Sequence, residues 1–162
     1  MDRGKYFFAE KDGITYIKMV GNLKYTTSSG FDHCVDGLME RGFHSLVIDL
    51  SEATYIDSTN LGLIAKLAGT ARDSSEIHVS IISPNEDINE ILRSVRFDQL
   101  FTIVEEVPRI ESLRELDERE RDRKEDLQML LEAHKALMDA HEENRPQFKD
   151  VVELLEKELR DF

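Results

Sequence analysis

The segment 49–62, DLSEATYIDSTNLG, gathers polar side chains between two apolar stretches. Ser58 stands where apolar residues begin to recur at helical spacing, which predicts a helix over residues 58–72. A helix N-terminus presents free backbone N–H groups and the positive end of the macrodipole, and both favour negative charge. This helix would therefore tolerate a phosphate on the Ser58 hydroxyl, which would add about −1.5 to −2 charge units to the surface. The chemistry that this position can support is the acceptance of a phosphoryl group.

A simpler role for Ser58 is that of a helix N-cap, which is the more common role of a serine at a helix start. Two features weigh against capping as the whole explanation. Each residue of the run 57–60, DSTN, could cap the helix, so the turn holds more polar groups than capping needs. The apolar residues Tyr55 and Ile56 would also hold the turn from behind. From the residues alone, both roles stay open.

Other reactive side chains give weaker signals. His134 and His141 lie seven residues apart on one predicted helical face, but a metal site would need further ligands, so we interpret them as ordinary interface or surface histidines. Cys34 lies among apolar residues and is predicted to be a small buried side chain. The pair Glu105 and Glu106 has no nearby partner arrangement for catalysis, and no nucleotide-binding fingerprint occurs. We therefore predict no metal site, no cofactor and no enzymatic activity.

Predicted strands and helices alternate over the first two-thirds of the chain. The turn residues Lys11-Asp12-Gly13 predict a β-hairpin, and Gly42 and Asn85 mark the end of one helix and the start of another. The predicted strands cover residues 5–10, 13–20, 43–50, 77–83 and 100–104. This alternation predicts an α/β fold with a mixed, mostly parallel sheet and right-handed crossovers. In such a sheet the loops at the carboxyl ends of the strands are the usual functional edge, and the 49–62 segment is one of them.

The composition changes after Pro108. Residues 109–142 form a charged run that predicts one long helix, in which Asp117–Arg121 and Glu120–Lys124 could pair at helical spacing. Asn144-Arg145-Pro146 interrupts this run, and a shorter helix follows. We therefore divide the chain into a domain over residues 1–107 and a helical extension over 108–162. The apolar stripes 127–138 and 148–159 predict that the extension packs on itself and on the domain, or pairs with a second copy as a homodimer.

The segment VIDLSEATYIDSTNLGLIAKLA resembles the signature of STAS domains, the fold of bacterial anti-sigma factor antagonists. The family pattern is a strand ending in Asp-Leu-Ser, then an apolar residue, Asp-Ser-Ser/Thr-Gly-Leu-Gly and a helix of small residues. Two further stretches, GNLKYTTSSGFDHCVDGLM and SPNEDINEILRSVRFDQLFTIV, are similar to the family's first strand-to-helix unit and to its Ser-Pro-helix ending. The resemblance covers about residues 5–105 in the expected order.

The resemblance implies a partner switch centred on Ser58. In such proteins a partner kinase of the anti-sigma type phosphorylates the serine that follows the aspartate, the unphosphorylated form sequesters that partner, and a serine phosphatase restores the active form. The partner-binding residues carried over are Asp57, Ser58, Thr59, Asn60 and Leu61. Asn60 stands where the family often has glycine, so we expect added bulk on the recognition surface.

Two alternatives stay open beside an anti-sigma factor antagonist. One is a STAS-like accessory subunit of a membrane transport complex, and the other is a regulator of biofilm or stress signalling that acts on a partner other than a sigma system. The formal net charge of −13 disfavours nonspecific binding to nucleic acid or to an anionic membrane. The single cysteine, together with the lack of an apolar leader or a stretch of about 20 apolar residues, predicts a cytoplasmic protein.

Overall fold

The computed structural model describes residues 3–72, 77–106 and 109–162. It opens with the predicted hairpin, in which strand β1 (Lys5–Lys11) pairs antiparallel with strand β2 (Ile14–Leu23). Asp12 and Gly13 form the turn with φ values of 54° and 80°. A two-residue turn with both φ angles positive matches the right-handed twist of the flanking strands, and glycine adopts this conformation without strain.

The described part of the chain contains one mixed sheet. Its further strands are β3 (Ser45–Asp49), β4 (Ala53–Ile56), β5 (His78–Ile82), β6 (Thr102–Val104) and β7 (Arg114–Glu115). The order across the sheet is β6-β5-β3-β2-β1-β7, and β4 pairs with the end of β2. The neighbours β2, β3, β5 and β6 run parallel, whereas β1 is antiparallel to both β2 and β7. The predicted α/β class with a mostly parallel sheet is confirmed.

Helices pack on the sheet, and two more helices follow the last strand in the chain. A 3₁₀ turn (Tyr25–Thr27) precedes α1 (Ser29–Arg41), and the remaining helices are α2 (Ser58–Arg72), α3 (Glu86–Ser94), α4 (Phe97–Leu100), α5 (Arg123–Ala140) and α6 (Asn144–Arg160). The Asn85 side chain caps α3 as predicted, since its oxygen accepts from the backbone N–H of Asp87 at 2.9 Å. Among these helices none is long and apolar enough to cross a membrane.

The prediction of one long helix from residue 109 is wrong at its N-terminal end. Residues 109–122 are not helical, and β7 within them pairs with β1. Ile110 and Leu113, which lie within the predicted helix, pack against a buried cluster on the sheet. The helix begins only at Arg123, where Asp122 and Glu125 form a reciprocal capping box. Sheet pairing and side-chain burial therefore override the helical propensity of this charged stretch.

The extension shares its core with the domain. Helix α5 packs along α2, and α6 packs on α5. Residues of α5 and α6 belong to the main buried cluster, which also contains residues of the sheet. Among them are Met129, Ala133, Leu137 and Phe148. The extension thus packs on itself and on the domain, which is the first of the two arrangements that we predicted. The outer face of α6 leaves Val151 and Leu154 exposed, and pairing with a second copy stays a prediction. The predicted boundary at residues 107 and 108 lies outside the described residues.

Candidate functional site

The strand β4, which the sequence patterns did not predict, positions the start of α2. Leu23 at the end of β2 pairs with Ile56, and the backbone N–H of Asp57 donates to the carbonyl oxygen of Leu23 at 3.0 Å. Ile56 is fully buried and anchors the turn from the core side. The chain then leaves the sheet at Asp57 and enters α2 at Ser58. The helix start is therefore held by the carboxyl end of β2.

Asp57, and not Ser58, caps α2. One Asp57 carboxylate oxygen accepts from the backbone N–H of Asn60 and from its side-chain amide, both at 2.9 Å. The other oxygen accepts from the backbone N–H of Tyr25 at 2.7 Å. These contacts satisfy the backbone N–H of Asn60 in the first turn of the helix and tie the helix start to the 3₁₀ turn after β2. The capping role that was open for Ser58 belongs to its neighbour.

The Ser58 hydroxyl instead contacts a histidine of the extension. Ser58 Oγ lies 2.8 Å from His134 Nε2, and His134 Nδ1 lies 2.6 Å from the carbonyl oxygen of Leu130. A carbonyl only accepts, so Nδ1 carries a proton; in the neutral ring Nε2 then accepts from the Ser58 hydroxyl. The His134 residue is 5% exposed, and its ring makes an edge-to-face contact with Phe148, with 5.7 Å between the ring centroids. Helix α5 thus places a buried imidazole directly on the hydroxyl.

The Asn60 side chain faces the interior. Its oxygen accepts from the hydroxyl of Tyr6 at 2.6 Å, and this hydroxyl also lies 3.1 Å from Ser28 Oγ. Burial raises the pKa of Tyr6 to about 12, so the phenol stays protonated at neutral pH and keeps its role as donor. Asn60 therefore links β1, α1 and α2 inside the domain. The bulk that we expected it to add to the recognition surface lies in the core.

The five predicted partner-binding residues divide into two groups. Asp57 and Ser58 are half-buried, whereas Thr59, Asn60 and Leu61 are buried. The structure thus brings Asp57 and Ser58 together near the surface, with His134 of α5 against Ser58. Partner binding by all five residues stays a prediction.

The other reactive side chains lie apart from this site. His141 bonds to Gln99 at 3.1 Å and does not share a site with His134. Cys34 is half-buried, and burial raises the pKa of its thiol to about 11. Within residues 3–72, 77–106 and 109–162, no group of three or more His, Cys, Asp or Glu side chains could hold a metal ion.

His134 is the residue of this site that the sequence interpretation missed. We interpreted it as an ordinary interface or surface histidine, and nothing in the pattern indicated which surface it would meet. The two partners are 76 residues apart in the chain, and only the packing of α5 on α2 brings them together.

Comparison with known proteins agrees with this architecture. Residues 8–110 match the family model of the STAS domain. The crystal structure of an anti-sigma factor antagonist from Mycobacterium paratuberculosis is similar with a TM-score of 0.56 and 17% identity, over 65% of this chain and 89% of that one. A crystal structure from Thermotoga maritima is similar with a TM-score of 0.55 and 22% identity, over 62% of this chain and 86% of that one. A search of curated proteins finds no match. Since the family model covers more than half of the chain and the solved structures share the fold, this protein belongs to the STAS domain family.

Proposed function

We propose that this protein is a partner-switching regulator that binds a serine kinase of the anti-sigma factor type while Ser58 is unmodified and releases it once Ser58 is phosphorylated. The observation that carries the proposal is the division of roles at the start of α2. Asp57 caps the helix, so the Ser58 hydroxyl is not required as the cap. The fold supports it, because the similar structure from Mycobacterium paratuberculosis is an anti-sigma factor antagonist.

The modification is a phosphoryl transfer from a nucleoside triphosphate. Ser58 Oγ forms a bond to the γ-phosphorus while the bond from that phosphorus to the bridging oxygen of the leaving diphosphate breaks. The hydroxyl proton passes to a general base of the kinase. A serine phosphatase reverses the change by transferring the phosphoryl group to water. The start of α2 suits the product, since the helix dipole favours an anion there.

Release follows from the cost of desolvating the new charge. A partner surface that accepts a neutral hydroxyl must remove water from a group of about −1.5 to −2 charge units after phosphorylation. Burying an unpaired charge costs far more than burying a hydroxyl that keeps a hydrogen bond. The same contact therefore changes from favourable to unfavourable without any change in the fold.

Replacing Ser58 gives the first test of this function. In an affinity pull-down from lysate of the source organism, the Ser58→Ala chain is expected to capture the kinase, because its surface stays neutral. The Ser58→Asp chain is expected to capture at least tenfold less, because it carries a permanent charge at the contact. Ser112 in the exposed segment before β7 offers a matched control, since Ser112→Asp adds the same charge elsewhere and should bind like the natural chain. Equal capture of the kinase by the alanine and aspartate baits would reject the switch.

A further inference from the structure

One face of α2 is covered by the extension along three successive turns. Ser58, Gly62 and Lys66 recur every four residues and so share one side of the helix, which we term the switch face. Ser58 contacts His134, a Cβ on Gly62 would lie 2.1 Å from the carbonyl oxygen of Ala133, and Lys66 Nζ lies 3.2 Å from a carboxylate oxygen of Glu132. Consecutive residues of α5 therefore meet every turn of this face.

We propose that the pair of helices α5 and α6 is a lid on the switch face, and that docking of the lid and phosphorylation of Ser58 exclude each other. The inference rests on the proposed function, since it concerns the regulation of the same hydroxyl. In the closed form Ser58 is half-buried and its oxygen contacts the buried imidazole of His134, so a kinase that surrounds this hydroxyl must displace the lid. The partner and the lid then compete for one surface.

A phosphoryl group does not fit beneath the lid. Phosphorylation attaches a phosphorus atom and three further oxygens to Ser58 Oγ. In the unmodified chain His134 Nε2 already lies 2.8 Å from Ser58 Oγ. The imidazole cannot simply turn aside, because Phe148 packs against its ring and Leu130 holds its other nitrogen. The Gly62 backbone is already in contact with Ala133, so α5 cannot shift closer to α2 and can make room only by moving away. We therefore expect phosphorylation of Ser58 to shift the lid towards the open position.

The contacts that close the lid differ in strength. The ion pairs of Lys66 with Glu132 and of Arg96 with Glu143 involve mostly exposed glutamates, and such pairs contribute little. The Asn144 side-chain amide donates to the carbonyl oxygens of Val95 and Leu137 at 3.0 Å, and this buried contact holds the turn between α5 and α6. At the other end, Arg121 anchors the segment before α5 to α1. Opening thus costs these buried polar contacts and exposes the apolar core that α5 and α6 share with the domain. The affinity for a partner falls in proportion to the fraction of open molecules.

A thiol at position 58 measures whether the lid covers the switch face. The experiment uses the full chain with Ser58→Cys and with Cys34→Ala, so that position 58 carries its single thiol. The rate of alkylation by iodoacetamide is measured at several pH values, and the limiting rates of the fully ionised thiol are compared. Ala133→Leu is added to force α5 away from α2 without altering α2 itself. We expect alkylation at least tenfold faster in the Ala133→Leu chain. Gln128→Leu is the matched control, because it adds a leucine on the exposed side of α5 and should change the rate less than twofold. Equal rates in all three chains would overturn the proposal.

A second arm tests the exclusion itself and stands if Ala133→Leu fails to fold. Phosphoserine is incorporated at position 58 during translation, and amide hydrogen exchange is compared with that of the unmodified chain. We expect exchange in α5 and α6 to accelerate at least tenfold, while β2 and β3 keep their protection. Unchanged protection of α5 would overturn the proposal. Neither arm uses the kinase, so the two proposals can fail separately. The lid proposal fails alone if both arms show no change while the Ser58→Ala and Ser58→Asp baits still differ in capture. The proposed function fails alone if both arms show the expected change while the two baits capture the kinase equally.

Discussion

Replacing Gly62 with alanine is expected to lower the free energy of unfolding by about 2 kcal/mol, although alanine is the better helix former. The added Cβ would lie 2.1 Å from the carbonyl oxygen, 2.4 Å from the carbonyl carbon and 2.7 Å from the Cα of Ala133. These are backbone atoms of α5, so no side-chain rotation relieves the contact and the two helices must separate. The gain of about 1 kcal/mol from helix propensity is smaller than the packing lost between α2 and α5.

Gly37 in α1 provides the matched control for this change. It is also a glycine within a helix, but nothing lies within 4 Å of the position where its Cβ would be. Gly37→Ala is therefore expected to raise the free energy of unfolding by about 0.5–1 kcal/mol. Urea denaturation of both variants measures the two effects. A gain of similar size at both positions would contradict the close approach of α5 to α2.

Replacing Arg121 with alanine is expected to cost about 3–5 kcal/mol, as for the loss of one partner of a buried ion pair. Its guanidinium lies 2.5 Å from a carboxylate oxygen of Asp32, with side chains that are 13% and 7% exposed. It also donates to the carbonyl oxygen of Ser29 at 3.2 Å. Arg123→Ala is the control, because the pair of Arg123 with Glu158 is 69% and 40% exposed and should contribute no more than about 1 kcal/mol. Chemical denaturation of the two variants should separate them clearly, and similar losses would show that Arg121 does not anchor the extension.

The cost of Arg121→Ala is expected to depend on pH in a defined direction. Burial raises the pKa of the Asp32 carboxyl in the folded chain even with Arg121 in place, and the variant removes a group that opposes this rise. A carboxyl whose pKa is higher in the folded state binds more protons there, so stability falls as pH increases through that pKa. The loss caused by Arg121→Ala should therefore be largest at neutral pH and shrink as acid protonates Asp32. A loss that does not vary with pH would mean that the buried charge is not its cause.

The parts of the fold that the sequence predicted are those in which local pattern and tertiary burial agree. The hairpin, the strands β3 and β5 and the helix α2 each have apolar residues at the spacing that the observed element buries. The short strand β4 escaped prediction because Thr54 and Tyr55 in its middle are both exposed, which breaks the alternation of a strand. Residues 109–122 were misjudged because their charged composition favours a helix, whereas Leu113 and Leu116 pack against buried clusters of the domain.

The chemistry of the site was predictable only in part, because several of its contacts depend on residues that lie far away in the sequence. The position of Ser58 at a strand-to-helix edge follows from local spacing, and so does the presence of capping groups around it. The choice of Asp57 as cap and the inward turn of Asn60 depend on Tyr25 and Tyr6, which lie on other elements. The contact with His134 depends on how the extension folds back. No local pattern carries that information.

Mapping the phosphate shows directly whether Ser58 is the residue that the kinase modifies. The full chain is incubated with the kinase captured by the Ser58→Ala bait and with ATP, and the modified residue is located by mass spectrometry. Arg41 and Lys66 bound a tryptic peptide with five further hydroxyl side chains, so fragmentation must distinguish Ser58 from Ser45, Ser51, Thr54, Tyr55 and Thr59. We expect one phosphate on Ser58 and none on the Ser58→Ala chain. Phosphate on another residue of the chain, or no phosphate at all, would contradict it.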